Sequence, residues 1–185
     1  MIHFMDLPHF PLFPHPENEG IFEPTEFDCD ICKKCRGVRY IAGFLGAPVG
    51  VDSEEMVVCP WCIADGSAGA QGLTFNDAEI YGLSKAQMTA ADKELVEQRT
   101  PGFVTWQQNH WLMCCGRACI YLGEADTGDL QGKWAAAVPS MFEDDDLPQD
   151  HKDEIVRTIA RGRGPCAYVF ECQVCHSLKA FWDCH

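Results

Sequence analysis

Cys29-Asp30-Ile31-Cys32 and Cys59-Pro60-Trp61-Cys62 are two short cysteine motifs with 26 residues between them. A Cys-x2-Cys turn directs two sulfur atoms to one side of a tight knuckle, and two knuckles together supply the four tetrahedral ligands that Zn²⁺ prefers. The spacing is typical of a zinc ribbon, in which β hairpins carry the knuckles. It predicts a structural zinc site formed by Cys29, Cys32, Cys59 and Cys62.

Residues 38–42 and 54–58 flank the knuckles and have strand character. Both segments are rich in β-branched, aromatic or other apolar residues, which are enriched in strands. The order of knuckle, strand, strand and knuckle predicts a zinc-ribbon hairpin.

Two helices are predicted downstream of the ribbon. The first spans residues 84–98, where the pairs Ser84 with Gln87 and Thr89 with Asp92 have capping-box spacing. The second spans residues 149–161 and ends before Gly162, with acidic residues near its start.

A second pair of cysteines repeats the pattern of the first knuckle. Phe27-Asp28-Cys29-x-Ile31-Cys32 is echoed by Phe170-Glu171-Cys172-x-Val174-Cys175, so a second metal site is predicted at Cys172 and Cys175. We expect Cys114 and Cys115 to complete it, with Cys119 as the alternate ligand. The competing interpretation is that these cysteines are buried apolar thiols, since free cysteine is among the most buried residue types.

Three other cysteines lie outside the two predicted sites. Cys184 follows Cys175 by nine residues, which is about 30 Å along an extended strand, so we do not expect it to share that metal. Cys35 and Cys166 are assigned no role.

Charge and composition limit the classes of partner. The chain has 185 residues, 12 cysteines and a net charge of -14, which opposes nucleic-acid binding because that requires clustered lysine and arginine. An acidic run begins at residues 143–146 and continues through Asp150, Asp153 and Glu154. It is either a solvated loop or a docking surface for a basic protein partner.

The N-terminal residues predict neither a secretory signal nor a membrane span. Residues 1–16 contain four prolines and no basic n-region, and no apolar run approaches the ~20 residues of a membrane helix. We expect a cytoplasmic protein whose reduced thiols bind metal, with a proline-rich extended arm anchored by Phe4, Phe10 and Phe13.

These patterns predict an α+β fold with two metal-stapled lobes that share one core. We expect a single domain over residues 1–185, divided into an extended arm (1–26), a zinc-ribbon lobe (27–75) and a helical and β lobe (76–185) with the second cysteine site. Its cofactor is Zn²⁺. The sequence does not determine the oligomeric state.

Six short motifs follow one another along the chain. The first five are Pro14-His15-Pro16, the block Cys-Pro-Trp-Cys-Ile-Ala-Asp-Gly-Ser-Ala at residues 59–68, Thr100-Pro101-Gly102-Phe103, Trp106-Gln107-Gln108 and Cys115-Gly116, and the last is Trp182-Asp183. In this order they resemble the CbrC family of bacterial proteins associated with colicin tolerance. The resemblance extends from about residue 7 to the end of the chain, and the block at residues 59–68 is its most specific part. The resemblance implies a role in a bacterial stress or colicin-tolerance response and brings no established reaction.

The alternative is a thiol-redox or metal-dependent enzyme that uses Cys59-Pro-Trp-Cys62. A redox cysteine is activated at a helix N-terminus, whereas Gly66, Gly69 and Gly72 disfavour a stable helix after Cys62. A hydrolytic zinc site needs an open coordination position, and an all-cysteine site is normally closed. A non-enzymatic protein is therefore favoured, and Asp65-Gly66-Ser67 is expected to form a turn.

Overall fold

The computed structural model describes residues 7–53, 55–78, 88–107, 109–143 and 145–184. It shows a mixed α+β fold with small antiparallel sheets, which confirms the predicted class. Its strands are β1 (Phe22–Pro24), β2 (Val38–Tyr40), β3 (Met113–Cys114), β4 (Arg117–Ala118), β5 (Ile120–Ala125), β6 (Cys166–Glu171) and β7 (Leu178–Asp183). Its α-helices are α1 (Pro60–Ala64), α2 (Ala90–Arg99), α3 (Thr127–Gln131) and α4 (Gln149–Thr158), and 3₁₀ helices occur at Pro16–Asn18, Gly69–Gln71 and Ala135–Phe142.

The largest sheet has the strand order β5-β6-β7, and neighbouring strands are antiparallel. Ala167 of the central strand pairs with Ala125 on one side and with Trp182 on the other. Residues 166–170 are all buried, because a central strand that is covered on both faces has no solvent side. At its C-terminal end, β6 leads directly into the second cysteine pair, Cys172 and Cys175.

The predicted ribbon hairpin is not observed. β2 pairs with β1, with Phe22 opposite Tyr40, and the described residues 55–58 form no strand. The carbonyl of Val58 nevertheless accepts a hydrogen bond from the Tyr40 amide at 2.9 Å. The segment before the second knuckle thus lies beside β2 without forming a ladder, and a zinc-ribbon fold is not confirmed.

The N-terminal segment packs on the large sheet. Phe10 and Phe13 are buried, and the Phe13 ring meets the Tyr121 ring edge-on with centroids 4.7 Å apart. The Tyr121 amide donates to the Leu12 carbonyl at 2.8 Å. Phe4, the third predicted anchor, lies outside the described residues.

The two predicted helices are present with different bounds. α2 begins after Thr89, whose hydroxyl accepts the Asp92 amide as an N-cap, while Ser84 and Gln87 lie outside the described residues. α4 begins at Gln149 as expected and ends at Thr158, before the expected residue 161. No helix in the described part of the chain is long and apolar enough to cross a bilayer.

A short helix, which the sequence did not predict, begins directly after Cys59 and ahead of the glycine-rich segment. α1 has Pro60 at its first position, where the fixed φ of proline is already helical and its missing N–H costs nothing. The three glycines that disfavoured a helix all lie beyond its last residue, so they end the helix rather than prevent it.

Aromatic side chains join the cysteine-rich segments into one core. The Phe103 ring stacks on Tyr121 with centroids 4.3 Å apart and lies 5.9 Å from Trp111. The same buried cluster contains Cys29, Cys59 and Cys62 together with Cys172. A smaller cluster around Leu130 and Met141 packs under β6 and β7.

Candidate metal centres

The sulfur atoms of Cys29, Cys32, Cys59 and Cys62 all lie within 4.8 Å of one another and could hold a metal ion. The Sγ atoms are 3.8 Å apart for Cys29 and Cys62, 3.9 Å for Cys32 and Cys59, and 3.5 Å for Cys59 and Cys62. These separations are far longer than the ~2.05 Å of a disulfide. Four sulfurs at about 2.3 Å from one zinc ion would be about 3.8 Å apart. The donor set and its spacing therefore suit a tetrahedral thiolate site.

The first knuckle is built by backbone hydrogen bonds. The Lys33 amide donates to the Cys29 carbonyl at 2.7 Å, and the Cys29 amide donates to the Lys34 carbonyl at 3.0 Å. Lys33 has a φ of 55°, which closes the turn in the left-handed region. The chain thus reverses around Cys29 and Cys32 and points both sulfurs to one side.

The second half of this centre sits at the start of α1. Cys59 is the N-cap residue of that helix, and its amide donates to the Cys29 sulfur at 3.3 Å. Such N–H···S bonds stabilise a thiolate and fix its direction. The two knuckles therefore contact each other directly through Cys29 and Cys59.

Protonation of the first cluster depends on its neighbours. A hydrogen bond from the Cys59 thiol lowers the pKa of Cys29 to about 4, whereas burial raises the pKa of Cys62 to about 11. Cys29, Cys59 and Cys62 are buried and Cys32 is half-buried, so four thiolates here without a cation would be strongly unfavourable. Binding of a metal at this cluster would consequently be coupled to proton release.

Cys114, Cys115, Cys172 and Cys175 form a second group whose sulfurs also lie within 4.8 Å of one another. The Cys114 sulfur is 3.8 Å from that of Cys115 and 3.8 Å from that of Cys175. These distances again match the edge of a ZnS₄ tetrahedron. The structure therefore brings together all eight cysteines that the sequence nominated, in the two predicted groups.

Adjacent cysteines can face one centre because a tight turn separates their directions. Cys115 and Gly116, with φ of 53° and 73°, lie between β3 and β4. Positive φ at both central residues is the requirement of a two-residue type I′ hairpin. Cys114 thus projects from the strand, while Cys115 projects from the turn toward the same point.

The knuckle at Cys172 has the same backbone pattern as the knuckle at Cys29. The His176 amide donates to the Cys172 carbonyl at 3.1 Å, and the Cys172 amide donates to the Ser177 carbonyl at 3.0 Å. His176 has a φ of 57°. The sequence repeat is therefore also a structural repeat.

The two centres differ in exposure. Cys29, Cys59 and Cys62 are at most 2% exposed, whereas Cys115 and Cys175 are exposed at the surface. The Ser177 hydroxyl lies 3.1 Å from the Cys175 sulfur and lowers the pKa of Cys175 to about 6. The second centre is accordingly accessible to solvent, chelators and oxidants.

Ser177 is a residue that the sequence argument missed. Its hydroxyl also lies 3.8 Å from the Cys114 sulfur, so it is positioned to donate to a bound thiolate. Its position two residues after Cys175 is the sequence feature that could have identified it as a neighbour of the cluster. A second missed contact is the ion pair between Arg117 and Asp92, with Nε–Oδ2 at 2.6 Å, which ties the β3–β4 hairpin to α2.

The remaining cysteines belong to neither sulfur cluster. Cys119, the alternate ligand, is buried, and burial raises the pKa of its thiol to about 12. The Cys166 sulfur accepts from the Trp106 indole at 3.2 Å, while the Cys184 carbonyl accepts from Gln107. Cys35 is exposed and donates to the Glu26 carbonyl at 3.6 Å.

The geometry around Cys59 bears on the redox alternative. Helix α1 begins directly after Cys59, so the glycines downstream do not exclude a helix N-terminus beside this thiol. However, Cys59 is only 1% exposed, and its sulfur is surrounded by the other sulfurs of the cluster. A thiol that attacks a substrate disulfide must be reachable, so the burial of Cys59 argues against the redox alternative.

The residues after α1 form the expected turn. The Asp65 carboxylate accepts hydrogen bonds from the Ser67 amide at 2.8 Å and from the Ser67 hydroxyl at 2.5 Å.

Comparison with known proteins links the chain to one family. Residues 7–184 match the model of the family described as "Uncharacterised protein family (UPF0167)". A UPF0167 protein of Pseudomonas aeruginosa is 35% identical over 171 residues, which cover 91% of this chain and 92% of that protein. UPF0167 proteins of Mycobacterium bovis and Mycobacterium tuberculosis are each 32% identical over 181 residues, covering 96% of this chain and 93% of theirs. No solved structure matches the chain significantly.

Proposed function

The chain belongs to the UPF0167 family, and from that premise we propose that it is a zinc-binding protein with two Zn(Cys)₄ centres that acts by protein contact. The observation that carries the proposal is the pair of four-sulfur clusters, in which five S···S distances of 3.5 to 3.9 Å match a zinc tetrahedron and all sulfurs of a cluster lie within 4.8 Å of one another. All-cysteine sites are structural because they leave no open coordination position.

The eight ligands would be Cys29, Cys32, Cys59 and Cys62 at the first site, and Cys114, Cys115, Cys172 and Cys175 at the second. Zinc at the first site would join two segments that also contact each other through the Cys59 amide and Cys29 sulfur and through two hydrogen bonds between Asp30 and Val57. Zinc at the second would join the β3–β4 hairpin to the end of β6. The metal would supply cross-links rather than chemistry, and the chain would form one domain with two stapled lobes. Reduced thiols are needed for this ligation, which fits a cytoplasmic location.

The proposed biological role is a bacterial stress or colicin-tolerance response. Its support is the resemblance of the motifs at residues 59–68 and 100–103 to the CbrC family. The acidic surface adds a physical route, because colicin nucleases act on nucleic acid and need basic surfaces. Capture of such a basic protein would use charge complementarity. An indirect effect on the envelope or on uptake is the alternative route.

Metal analysis of the purified protein tests the proposal. We expect two zinc ions per chain, falling to one in Cys59→Ser and to one in Cys172→Ser. Cys35→Ser is the matched control, because Cys35 is exposed and belongs to neither cluster, and it should retain both ions. Zinc content that stays at two in both ligand variants would refute the assignment, and a reversible Cys59–Cys62 disulfide in the native protein would favour the redox alternative.

A further inference from the structure

An open groove of 260 Å³ lies between the 3₁₀ helix Ala135–Phe142 and helix α4. Its floor is apolar and consists of Val138, Pro139, Phe142 and Val156. None of these residues contributes to either metal centre. The groove is therefore a feature that zinc binding does not explain.

The size of the groove limits what it can accept. Pockets for drug-sized ligands and cofactors are typically about 300–1,000 Å³, so this groove of about 260 Å³ is small for a ligand of that size. It is suited to one apolar side chain that projects from a partner protein. Buried anchors of this kind dominate the energetics of protein interfaces.

The surroundings of the groove are strongly acidic. Asp145, Asp146, Asp150 and Asp153 are all exposed, and none of the four has an ion-pair partner within the described part of the chain. Asp153, on the rim, accepts from the Gln149 amide group at 2.8 Å. The groove thus has a hydrophobic floor, with Asp153 on its rim and three further exposed aspartates on neighbouring residues of the chain.

The one basic residue on the rim is held by contacts within the chain. Lys152 donates to the Asp145 carbonyl at 3.0 Å, and its ammonium lies 5.6 Å from the centroid of the Phe142 ring. The Asp145 carbonyl and the Phe142 ring thus both interact with its positive charge. A partner would therefore meet negative charge beside the apolar floor.

The charge distribution selects among occupants. A second copy of this chain would bring another net charge of -14 to the same face, and nucleic acid would also be repelled. A basic segment would be attracted and oriented by the exposed aspartates.

We propose that this groove docks a lysine- and arginine-rich protein segment through a single apolar side chain that inserts between Val138 and Val156. This inference rests on the proposed function, action by contact with a basic protein, and assigns that contact to a definite surface. The aspartates would accelerate encounter, and the apolar anchor would slow dissociation.

Fluorescence polarisation with two labelled peptides tests the docking site. Both are short lysine–arginine peptides, one with a single central leucine and the other with alanine at that position. We expect the leucine peptide to bind about tenfold more tightly, since burial of the larger side chain is worth about one order of magnitude in affinity. Val138→Gln and Val156→Gln should remove this difference while preserving zinc content and circular dichroism. Val104→Gln, at a 65% exposed valine outside the groove, should preserve the difference.

The outcomes of the peptide experiment distinguish failure of the groove proposal from failure of the proposed contact with a basic protein. Equal affinity for the two peptides would overturn the groove and leave contact with a basic partner intact. Binding of neither peptide at low salt would overturn both proposals. Self-association in sedimentation experiments, abolished by Val138→Gln, would assign the groove to a second copy of the chain and refute a basic occupant.

Discussion

Lys33 and His176 occupy equivalent positions in two knuckles that are 143 residues apart in the chain. Each follows the first cysteine of its motif by four residues, each has a left-handed φ (55° and 57°), and each amide donates to the carbonyl of that cysteine. Two distant segments therefore adopt the same backbone conformation, and in each segment it directs the two cysteine sulfurs to one side of the turn.

This equivalence predicts the effect of substitutions at Lys33. A β-branched residue is strongly disfavoured at positive φ, so Lys33→Val should weaken zinc binding at the first site by about tenfold or more, at a cost of about 1–2 kcal/mol. Lys33→Gly should preserve or improve binding because glycine adopts this conformation freely. Competition with a chromogenic zinc chelator measures both affinities. Lys34→Val is the control, and equal effects at residues 33 and 34 would contradict the prediction.

The difference in exposure predicts the order of metal loss. A chelator should remove zinc from the second site first, because Cys115 and Cys175 are exposed while Cys29, Cys59 and Cys62 are buried. Zinc release should thus have a fast and a slow phase. Cys175→Ser should remove the fast phase only. A single phase in the wild-type protein, or loss of the slow phase in this variant, would disagree with the assignment.

Loss of the first site should unfold more of the protein than loss of the second. Structural zinc contributes about 10–16 kcal/mol of apparent binding free energy in small domains, and three ligands of the first site lie in the main hydrophobic core. Cys59→Ser should therefore lower solubility and unfold at least the N-terminal lobe, which contains the first site. Cys115→Ser, at an exposed ligand, should retain a cooperative transition at lower temperature. A wild-type melting curve for Cys59→Ser would contradict a structural role.

Glu19 should make stability depend on pH. Burial raises its pKa, even though its carboxylate accepts from the Tyr121 hydroxyl at 3.1 Å. The native state therefore holds this proton more tightly than the unfolded chain, and stability falls as pH rises from the unfolded pKa of about 4.3 through the higher native pKa. Glu19→Gln should raise the melting temperature at pH 7, and the gain should disappear below about pH 4. Glu17→Gln, at an exposed neighbour, should show no such pH-dependent gain, and a gain for Glu19→Gln that is constant with pH would exclude this cause.

The acidic run should contribute to any contact with a basic protein. Changing Asp144, Asp145 and Asp146 to asparagine should weaken such association and reduce its dependence on salt, because it removes three negative charges whose attraction for a basic partner is screened by salt. Binding at two ionic strengths and survival after colicin challenge measure the effect. A matched neutralisation of Glu17, Glu55 and Glu94 should have a smaller effect. Unchanged binding and tolerance in the aspartate variant would leave the run as solvated surface.

Local sequence determined the two Cys-x2-Cys knuckles and contains signals for the starts of α1 and α2. Cys29 and Cys32 are close in the chain, so the Cys-x2-Cys spacing by itself places two sulfurs on one side of a turn. Thr89 at the α2 N-cap is a similarly local signal, since its hydroxyl needs only the amide three residues ahead. Pro60 is a local signal of the same kind for α1, but the glycines at residues 66, 69 and 72 argued against a helix when only the sequence was considered.

Only the tertiary structure decided which distant segments meet. β2 pairs with β1 rather than with residues 55–58, because strand pairing depends on burial and on neighbours as much as on intrinsic propensity. The choice of Cys115 over Cys119 likewise follows from the β3–β4 turn, which directs Cys115 toward Cys175 while Cys119 is buried in the core. The groove beside α4 has no sequence signature, since its floor combines residues 138–142 with Val156, which only chain packing brings together.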